Sequence, residues 1–373
     1  MKNKIFKYDF LIVGGGLIGS LAAIELFQKK YSVLVVEKNN FLSKDDRTLA
    51  VNANSRDFLV KLGIWKKLKN EQEPIEKILI KDYINKKDLL LNNTEESMGS
   101  VVYNKTLLKI SRDYLLKNKL LISGIDLKSS DIKAKSAITI KNKSFYFKKI
   151  ILAHGKNYEN NANIIKTSFQ TNHHAYVGFF NHKKMHNQIA YEIFTTKGPL
   201  AVLPSPNKNK RYSTFIYSTQ DQMSMLDLTK LIKKHFQLSH GLLSLKKSIK
   251  YFPINPHLAK PIKKDFLLIG DSAHSIHPVA GQGWNLGIKD IQALSKLLDN
   301  YKIDDSIFDN IYLSKRIFEN FSYLAFTSLL NFLYDTNNPL SREITRASFF
   351  ILNKAPYLKE IFIKQAMGKI SLV

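Results

Sequence analysis

The chain of 373 residues contains no cysteine. Disulfides, thiolate metal sites, iron–sulfur clusters and a cysteine nucleophile are thereby excluded. Long apolar runs are also missing. The most apolar of the long uncharged stretches, residues 320 to 334, is shorter than the roughly 20 residues a spanning helix needs, and it contains Ser, Thr and Asn. No targeting segment is expected, because the first apolar run leads into a glycine-rich turn with no small-residue cleavage site after it. The chain is therefore expected to be soluble, or attached to a membrane only at its surface. Acidic residues are few: 31, against 57 Lys and Arg, for a net charge of +26. That balance permits anionic partners of several kinds. The lysines are scattered and form no block of the length of a binding tail, so nucleic acid is not expected as a partner. Repeats and low-complexity tracts are not visible. With 44% apolar and 24% charged residues, the composition is that of a globular chain of one large or two ordinary domains.

The N-terminus reads as strand, turn, helix, strand. Phe10 to Val13 is a continuous apolar run of the kind found in buried parallel strands. Gly14-Gly15-Gly16-Leu17-Ile18-Gly19 follows, then a helix with Leu17, Leu21, Ile24 and Phe27 on one side. Val33 to Val36 is a second buried strand, ending at Glu37. Residues 46 to 69 are expected to form a loop and then a helix, and residues 75 to 102 to form strands. Leu107 to Leu116 is helical. Ile150 to Ala153 and Phe266 to Ile269 are further short buried strands. Residues 166 to 255 read as an antiparallel sheet. A helix is expected from about Asn285, and residues 303 to 373 read as mostly helical, with a break near Asn337-Asn338-Pro339.

Gly14, Gly16 and Gly19 fit G-x-G-x-x-G between a strand and a helix. Glycines there allow the tight turn and let the backbone approach a pyrophosphate. The helix start, with Leu17 and Ile18, offers N–H groups and a positive dipole end to the phosphates. Glu37, at the end of the next strand, is placed to accept hydrogen bonds from ribose hydroxyls. The turn alone does not separate FAD from NAD.

A second segment runs from Gly270-Asp271-Ser272-Ala273-His274 through His277-Pro278-Val279-Ala280-Gly281-Gln282-Gly283-Trp284-Asn285 to Asp290. It is a strand end, an acid, a Pro-restricted loop and a Gly-x-Gly turn opening a helix. It resembles the second FAD signature of the single-component flavoprotein aromatic hydroxylases. Asp45-Asp46-Arg47-Thr48-Leu49-Ala50, Tyr191-Glu192-Ile193-Phe194 with Gly198 to Pro204, Asn337 to Leu340 and Gln365 to Gly368 narrow the resemblance to the FAD-dependent hydroxylases of ubiquinone biosynthesis. His154-Gly155 stands where that family usually has Asp-Gly, and Tyr103-Asn104-Lys105 where it has Glu-Asn-Arg.

The resemblance implies an α/β fold: a Rossmann-like FAD-binding domain (1–74, 101–165 and 256–302), an inserted antiparallel sheet domain for substrate (75–100 and 166–255) and C-terminal helices (303–373). It implies FAD as cofactor, with NAD(P)H or a protein electron donor as reductant. The implied reaction is hydroxylation of a polyprenyl phenol or benzoquinone precursor by O2 through a flavin 4a-hydroperoxide. The alternatives are a non-catalytic FAD-binding subunit of a quinone-biosynthesis complex, to which the His154-Gly155 replacement points, and a hydroxylase of a soluble aromatic. The residues expected to hold FAD are Gly14, Gly16, Leu17, Ile18, Gly19, Glu37, Arg47, Gly270, Asp271, Gly281, Gly283, Trp284 and Asn285. Pro278, Gly281, Gln282 and Gly283 are expected beside the flavin, with Pro278, Val279 and Trp284 in a dry wall.

No acid–base residue is assigned. His274 and His277 are expected to be loop histidines that hold backbone carbonyls. His173-His174 has no matching ligand set, so no metal is expected. Leu358, Ile361, Phe362 and Ala366, with Lys354, Lys359, Lys364 and Lys369 nearby, could rest on anionic lipid or pack on their own domain. The expected location is the cytoplasm, with a peripheral position on the inner face of the membrane left open.

Overall fold

The computed structural model describes residues 5–40, 46–68, 71–83, 86–128, 132, 137–156, 166–169, 171–207, 209–263, 266–276, 282–303, 305–333 and 339–370. Its first sheet is built from segments far apart in the chain. The strands Phe266–Leu268, Lys143–Leu152, Ile5–Val13, Val33–Glu37 and Leu121–Ser123 lie side by side and parallel. Ile262–Lys263 and Ala137–Ile140 add antiparallel pairs. The apolar run in the central strand is explained by burial on both faces. Phe10 and Ile12 pack with Val33 and Val35 into one core, and Leu11 and Val13 pack with Leu34 and Val36 into another. The helix Leu17–Gln28 covers the first face with Leu21, Ile24 and Leu26.

A second, larger sheet runs in the order Leu243–Leu245, His174–His182, Tyr212–Thr219, Gly198–Pro204, Ile189–Thr195, Lys77–Asp82 and Lys87–Asn92, with Lys250–Pro253 paired to His174–His182. Two features differ from the expectation. The pair Lys77–Asp82 with Ile189–Thr195 is parallel, so the sheet is mixed. The stretch read as sheet also contains a helix, Met225–His240, opened by a capping box between Ser224 and Asp227. Its Leu228, Ile232 and Phe236 recur every four residues and pack on Tyr176, Phe215 and Tyr217. Strand alternation then turns Ala175, Val177, Leu203 and Ile216 to the opposite face.

Residues 46–52 also depart from expectation. Thr48–Asn52 is a strand, paired with Gly99–Tyr103, which in turn pairs with Gln72–Ile75. The helix Ala53–Lys61 follows, capped by the Asn52 side chain. The last helices are Gln282–Leu298, Ser306–Leu333, Pro339–Lys354 and Pro356–Ala366. The break expected at Asn337-Asn338 lies outside the described residues. Among the described residues, no helix is long and apolar enough to cross a membrane.

Candidate active site: a cofactor cradle facing an apolar sheet

The two glycine segments meet through one side chain. A Cβ on Gly270 would stand 3.1 Å from Ile18, and one on Gly287 would stand 2.8 Å from it. Ile18, at the start of the first helix, therefore fits against the second segment only because both of those positions lack side chains. The glycines of the first turn have distinct jobs. Gly14 has φ +109°, and a Cβ there would lie 2.5 Å from the Ala153 carbonyl oxygen. Gly19 packs against the Gly14 backbone with no room for a side chain. Gly16 faces open space, with nothing within 4 Å of its missing Cβ. It is also the N-cap of the helix and offers no side chain to the first-turn N–H groups.

That open space belongs to a cavity of about 1110 Å³. Gly14, Gly16, Leu17, Ile18 and Glu37 line one part of it, and Asp271, Gly283 and Trp284 another. Arg47 joins them, its guanidinium 4.6 Å from the centre of the Phe252 ring. Ala175, Val177, Leu203, Ile216 and Phe252 form an apolar wall contributed by the larger sheet. Of the expected cofactor residues, Gly19, Gly270 and Asn285 are not on the cavity wall. Asn285 is occupied elsewhere: its Oδ1 accepts from the Asn52 backbone N at 3.1 Å, and its Nδ2 donates to the Ala50 carbonyl at 2.9 Å. The helix beginning at Gln282 is thereby tied to the strand Thr48–Asn52, which Arg47 immediately precedes. His277, Pro278, Val279 and Gly281 lie outside the described residues, as does Asp45.

The Glu37 carboxylate is fixed by Gly15 N at 2.7 Å and Asn39 N at 2.9 Å. Beside it, also on the cavity wall, stands Arg112, which the sequence reading did not single out. Its Nε donates to the Gly15 carbonyl at 3.0 Å, and its NH2 lies 3.5 Å from Glu37 Oε2. The signal for it was a charged residue on the apolar stripe of the helix Asn104–Lys117, beside Leu108, Ser111 and Leu115.

The Asp271 turn is braced on both sides. Its carboxylate is exposed to the cavity. Its own carbonyl accepts from His257 Nε2 at 3.1 Å. Gly270 N donates to Asp290 Oδ2 at 2.7 Å, and Ser272 Oγ accepts from Gly155 N at 3.2 Å. Asp290 is fully buried, with His274 Nε2 at 2.8 Å and Arg316 at 2.7 and 2.6 Å. Burial opposes its ionisation, yet Arg316 and His274 together hold its pKa below the ordinary carboxylate value. His274 is thus a structural histidine, as expected, but its side chain bonds a carboxylate and not a backbone carbonyl. His154 lines the cavity, with Nδ1 3.3 Å from Ser272 Oγ. Burial lowers its pKa, so the imidazole is neutral near pH 7. Of the His173-His174 pair, His174 stacks on Tyr251 at 4.6 Å and His173 meets Gln220. Among the described residues no side-chain group could hold a metal.

A dinucleotide cofactor suits this cavity on three counts. The helix start at Gly16 is open, Asp271 is free to face a polyol, and Trp284 presents a buried indole Nε1–H with no partner among the described residues. A cradle of this kind joined to an apolar sheet face defines a flavoprotein of the aromatic-hydroxylase fold. The chain belongs to the FAD binding domain family, which it matches over residues 7–113 and 157–303. FAD is its cofactor. Among curated relatives, ubiquinone hydroxylase UbiL of Rhodospirillum rubrum is 25% identical over 391 residues, spanning 98% of this chain and 90% of the relative. The 3-demethoxyubiquinol 3-hydroxylase of Escherichia coli is 23% identical, spanning 96% of this chain and 98% of the relative. The p-nitrophenol 4-monooxygenase PnpA from Pseudomonas putida shares the fold, with a TM-score of 0.76 at 14% identity, over 99% of this chain and 100% of that one.

Proposed function

We propose that the chain is an FAD-dependent monooxygenase that hydroxylates the aromatic ring of a polyprenyl phenol or benzoquinone precursor in ubiquinone biosynthesis. The observation that carries the reading is one cavity with the glycine cradle along one part and an apolar sheet face along another. Gly14, Gly16 and the helix start at Leu17 and Ile18 would hold the pyrophosphate, Glu37 the ribose, and Asp271 the sugar-alcohol chain. Gly283 and Trp284 would lie beside the ring system, and Arg47 near the cofactor. Bound FAD, reduced by two electrons, would activate O2, so that one oxygen atom of O2 goes to the ring and the other leaves as water.

The chain's own part is to bind, orient and keep water out. Ala175, Val177, Leu203 and Ile216 give the ring an apolar bed, and Phe252 closes it beside Arg47. No general base is required, because an electron-rich phenol is itself the nucleophile. A reduced nicotinamide or a protein donor supplies the electrons, and a quinone-biosynthesis complex is a fitting setting. Deletion of the gene followed by mass analysis tests the reading. A precursor lacking one oxygen should accumulate; an unchanged quinone pool would remove the proposal. His154, standing where related hydroxylases carry Asp, motivates a second reading as a non-catalytic FAD-binding subunit. FAD that binds but that no donor reduces would favour it.

A further inference from the structure

The helices Pro339–Lys354 and Pro356–Ala366 each have two apolar sides. On the first, Phe349 and Leu352 face inward, against the core that also holds Leu203 of the cavity wall. Leu340, Ile344, Ala347 and Ile351 recur at i, i+4, i+7 and i+11 and form a different stripe, which is exposed. Leu340 is 62% exposed, and Phe350 beside the stripe is 66% exposed. On the second helix the side expected from sequence divides. Phe362 and Ala366 join the core, whereas Leu358 and Ile361 remain exposed with Tyr357, which is 74% exposed. Large apolar side chains in this number, on consecutive helices packed together, call for a partner.

The surrounding charge selects the partner. Residues 339–369 carry Arg342, Arg346, Lys354, Lys359, Lys364 and Lys369 but only Glu343 and Glu360 as acids. Glu343 pairs with Arg346 at 3.8 Å, Glu360 with Lys364 at 2.6 Å and Lys369 with Glu96 of a neighbouring segment, so six basic residues face three acids and the border stays basic. A second copy of this chain would bring the same basic surface and repel it, at a net charge of +26. We infer that the exposed apolar stripe of the last two helices, with its basic border, is a docking surface for an anionic lipid bilayer. The apolar residues enter the headgroup boundary and the basic residues meet lipid phosphates. Phe349, on the inner side of the first helix, belongs to the same core as Leu203 of the cavity wall. The placement thus deepens the proposed function, since a polyprenyl substrate would be drawn from the bilayer the surface rests on.

Flotation of the full-length, FAD-loaded protein with phosphatidylcholine vesicles, with and without phosphatidylglycerol, tests the surface. Wild type should float with the anionic vesicles and be released by salt. The triple variant Leu340→Gln, Ile344→Gln, Ile351→Gln should bind roughly tenfold less, or weaker still, while keeping its FAD. Equal binding of the two proteins, or no binding of wild type, would overturn the inference. So would a concentration-dependent dimer that the triple variant abolishes without any vesicle binding. Tyr357→Trp gives a second measurement that does not depend on the triple variant's folding. Its added fluorescence should be quenched by brominated lipid, and its absence of quenching counts against the surface. Turnover of a short-chain soluble phenol separates the two proposals. A chain that floats but fails to hydroxylate sinks the proposed function and leaves the membrane surface standing.

Discussion

Arg112 Nε donates to the carbonyl oxygen of Gly15 at 3.0 Å, and the same guanidinium backs Glu37. One buried cation thus fixes both the bend that receives phosphate and the acid assigned to ribose. Arg112→Met should cost about 3 kcal/mol of stability, because the carboxylate of Glu37 is left buried without its charge partner. It should also weaken FAD binding by roughly tenfold, since cradle and acid move together. Urea unfolding and FAD fluorescence titration measure the two effects. Unchanged FAD affinity would show that Arg112 serves packing alone.

Two glycines of the same turn should respond oppositely to alanine. Gly14→Ala places a methyl 2.5 Å from the Ala153 carbonyl at a positive φ, so the apoprotein itself should lose stability. Gly16→Ala meets no atom of the chain and has a φ of −68°, so the apoprotein should melt where wild type does. Its methyl occupies the space proposed for the pyrophosphate, and FAD binding should fall at least about tenfold. Scanning calorimetry of the two apoproteins, followed by FAD titration, separates them.

Arg316 lies within the interior and ties Asp290 to Glu319 and Asn320. Its removal strands a buried carboxylate at the root of the Asp271 turn. Arg316→Met should destabilise by about 3–5 kcal/mol. Adding Asp290→Asn to that variant should recover part of the loss, because the unpaired charge is gone while Gly270 N keeps an acceptor. Chemical denaturation of the single and double variants decides it. No recovery in the double variant would mean that the arginine acts through Glu319 instead.

Acid should weaken the packing around the larger sheet. His240 and His186 sit beneath it, where burial pushes their pKa values down to about 3 and about 4, with the neighbouring His182 adding to both shifts. An unfolded histidine titrates near 6.5, so between that pH and about 4 the unfolded chain binds more protons than the folded one. Stability is therefore full above 6.5 and falls through that window, by up to about 1.4 kcal/mol per pH unit for each imidazole. His240→Phe, placed among Phe180, Tyr191 and Phe236, should flatten the slope. Melting temperatures at pH 7, 6 and 5 for both proteins make the comparison, and identical slopes would acquit His240.

The cradle was legible because its determinants are local. Strand, glycine spacing, helix and Glu37 lie within a single stretch, and each reports on its immediate neighbours. Residues whose importance comes from distant partners were harder to read. Arg112 interrupts an apolar helix stripe, but its role is not evident until Gly15, 97 residues away, is placed against it. Asn285 sits in the most recognisable segment of the chain, yet its amide is spent on the backbone of residues 50 and 52. The strand Thr48–Asn52 is only five residues long and is ordered by its pairing with Gly99–Tyr103. The parallel pairing of Lys77–Asp82 with Ile189–Thr195 joins residues more than a hundred positions apart, which no periodicity reveals.

The strand Ile5–Val13 holds the middle of the parallel sheet, but its flanking strand Lys143–Leu152 and the strand beyond that, Phe266–Leu268, are encoded far downstream. During synthesis Val33–Glu37 follows soon enough to pair one edge of this stretch, but the edge that meets Lys143–Leu152 stays open until more than a hundred further residues have been made. That edge, with its apolar side chains, must wait uncovered on one side through more than the first third of translation. Chaperone demand in the producing cell should follow from that delay, and expression at low temperature should favour soluble yield.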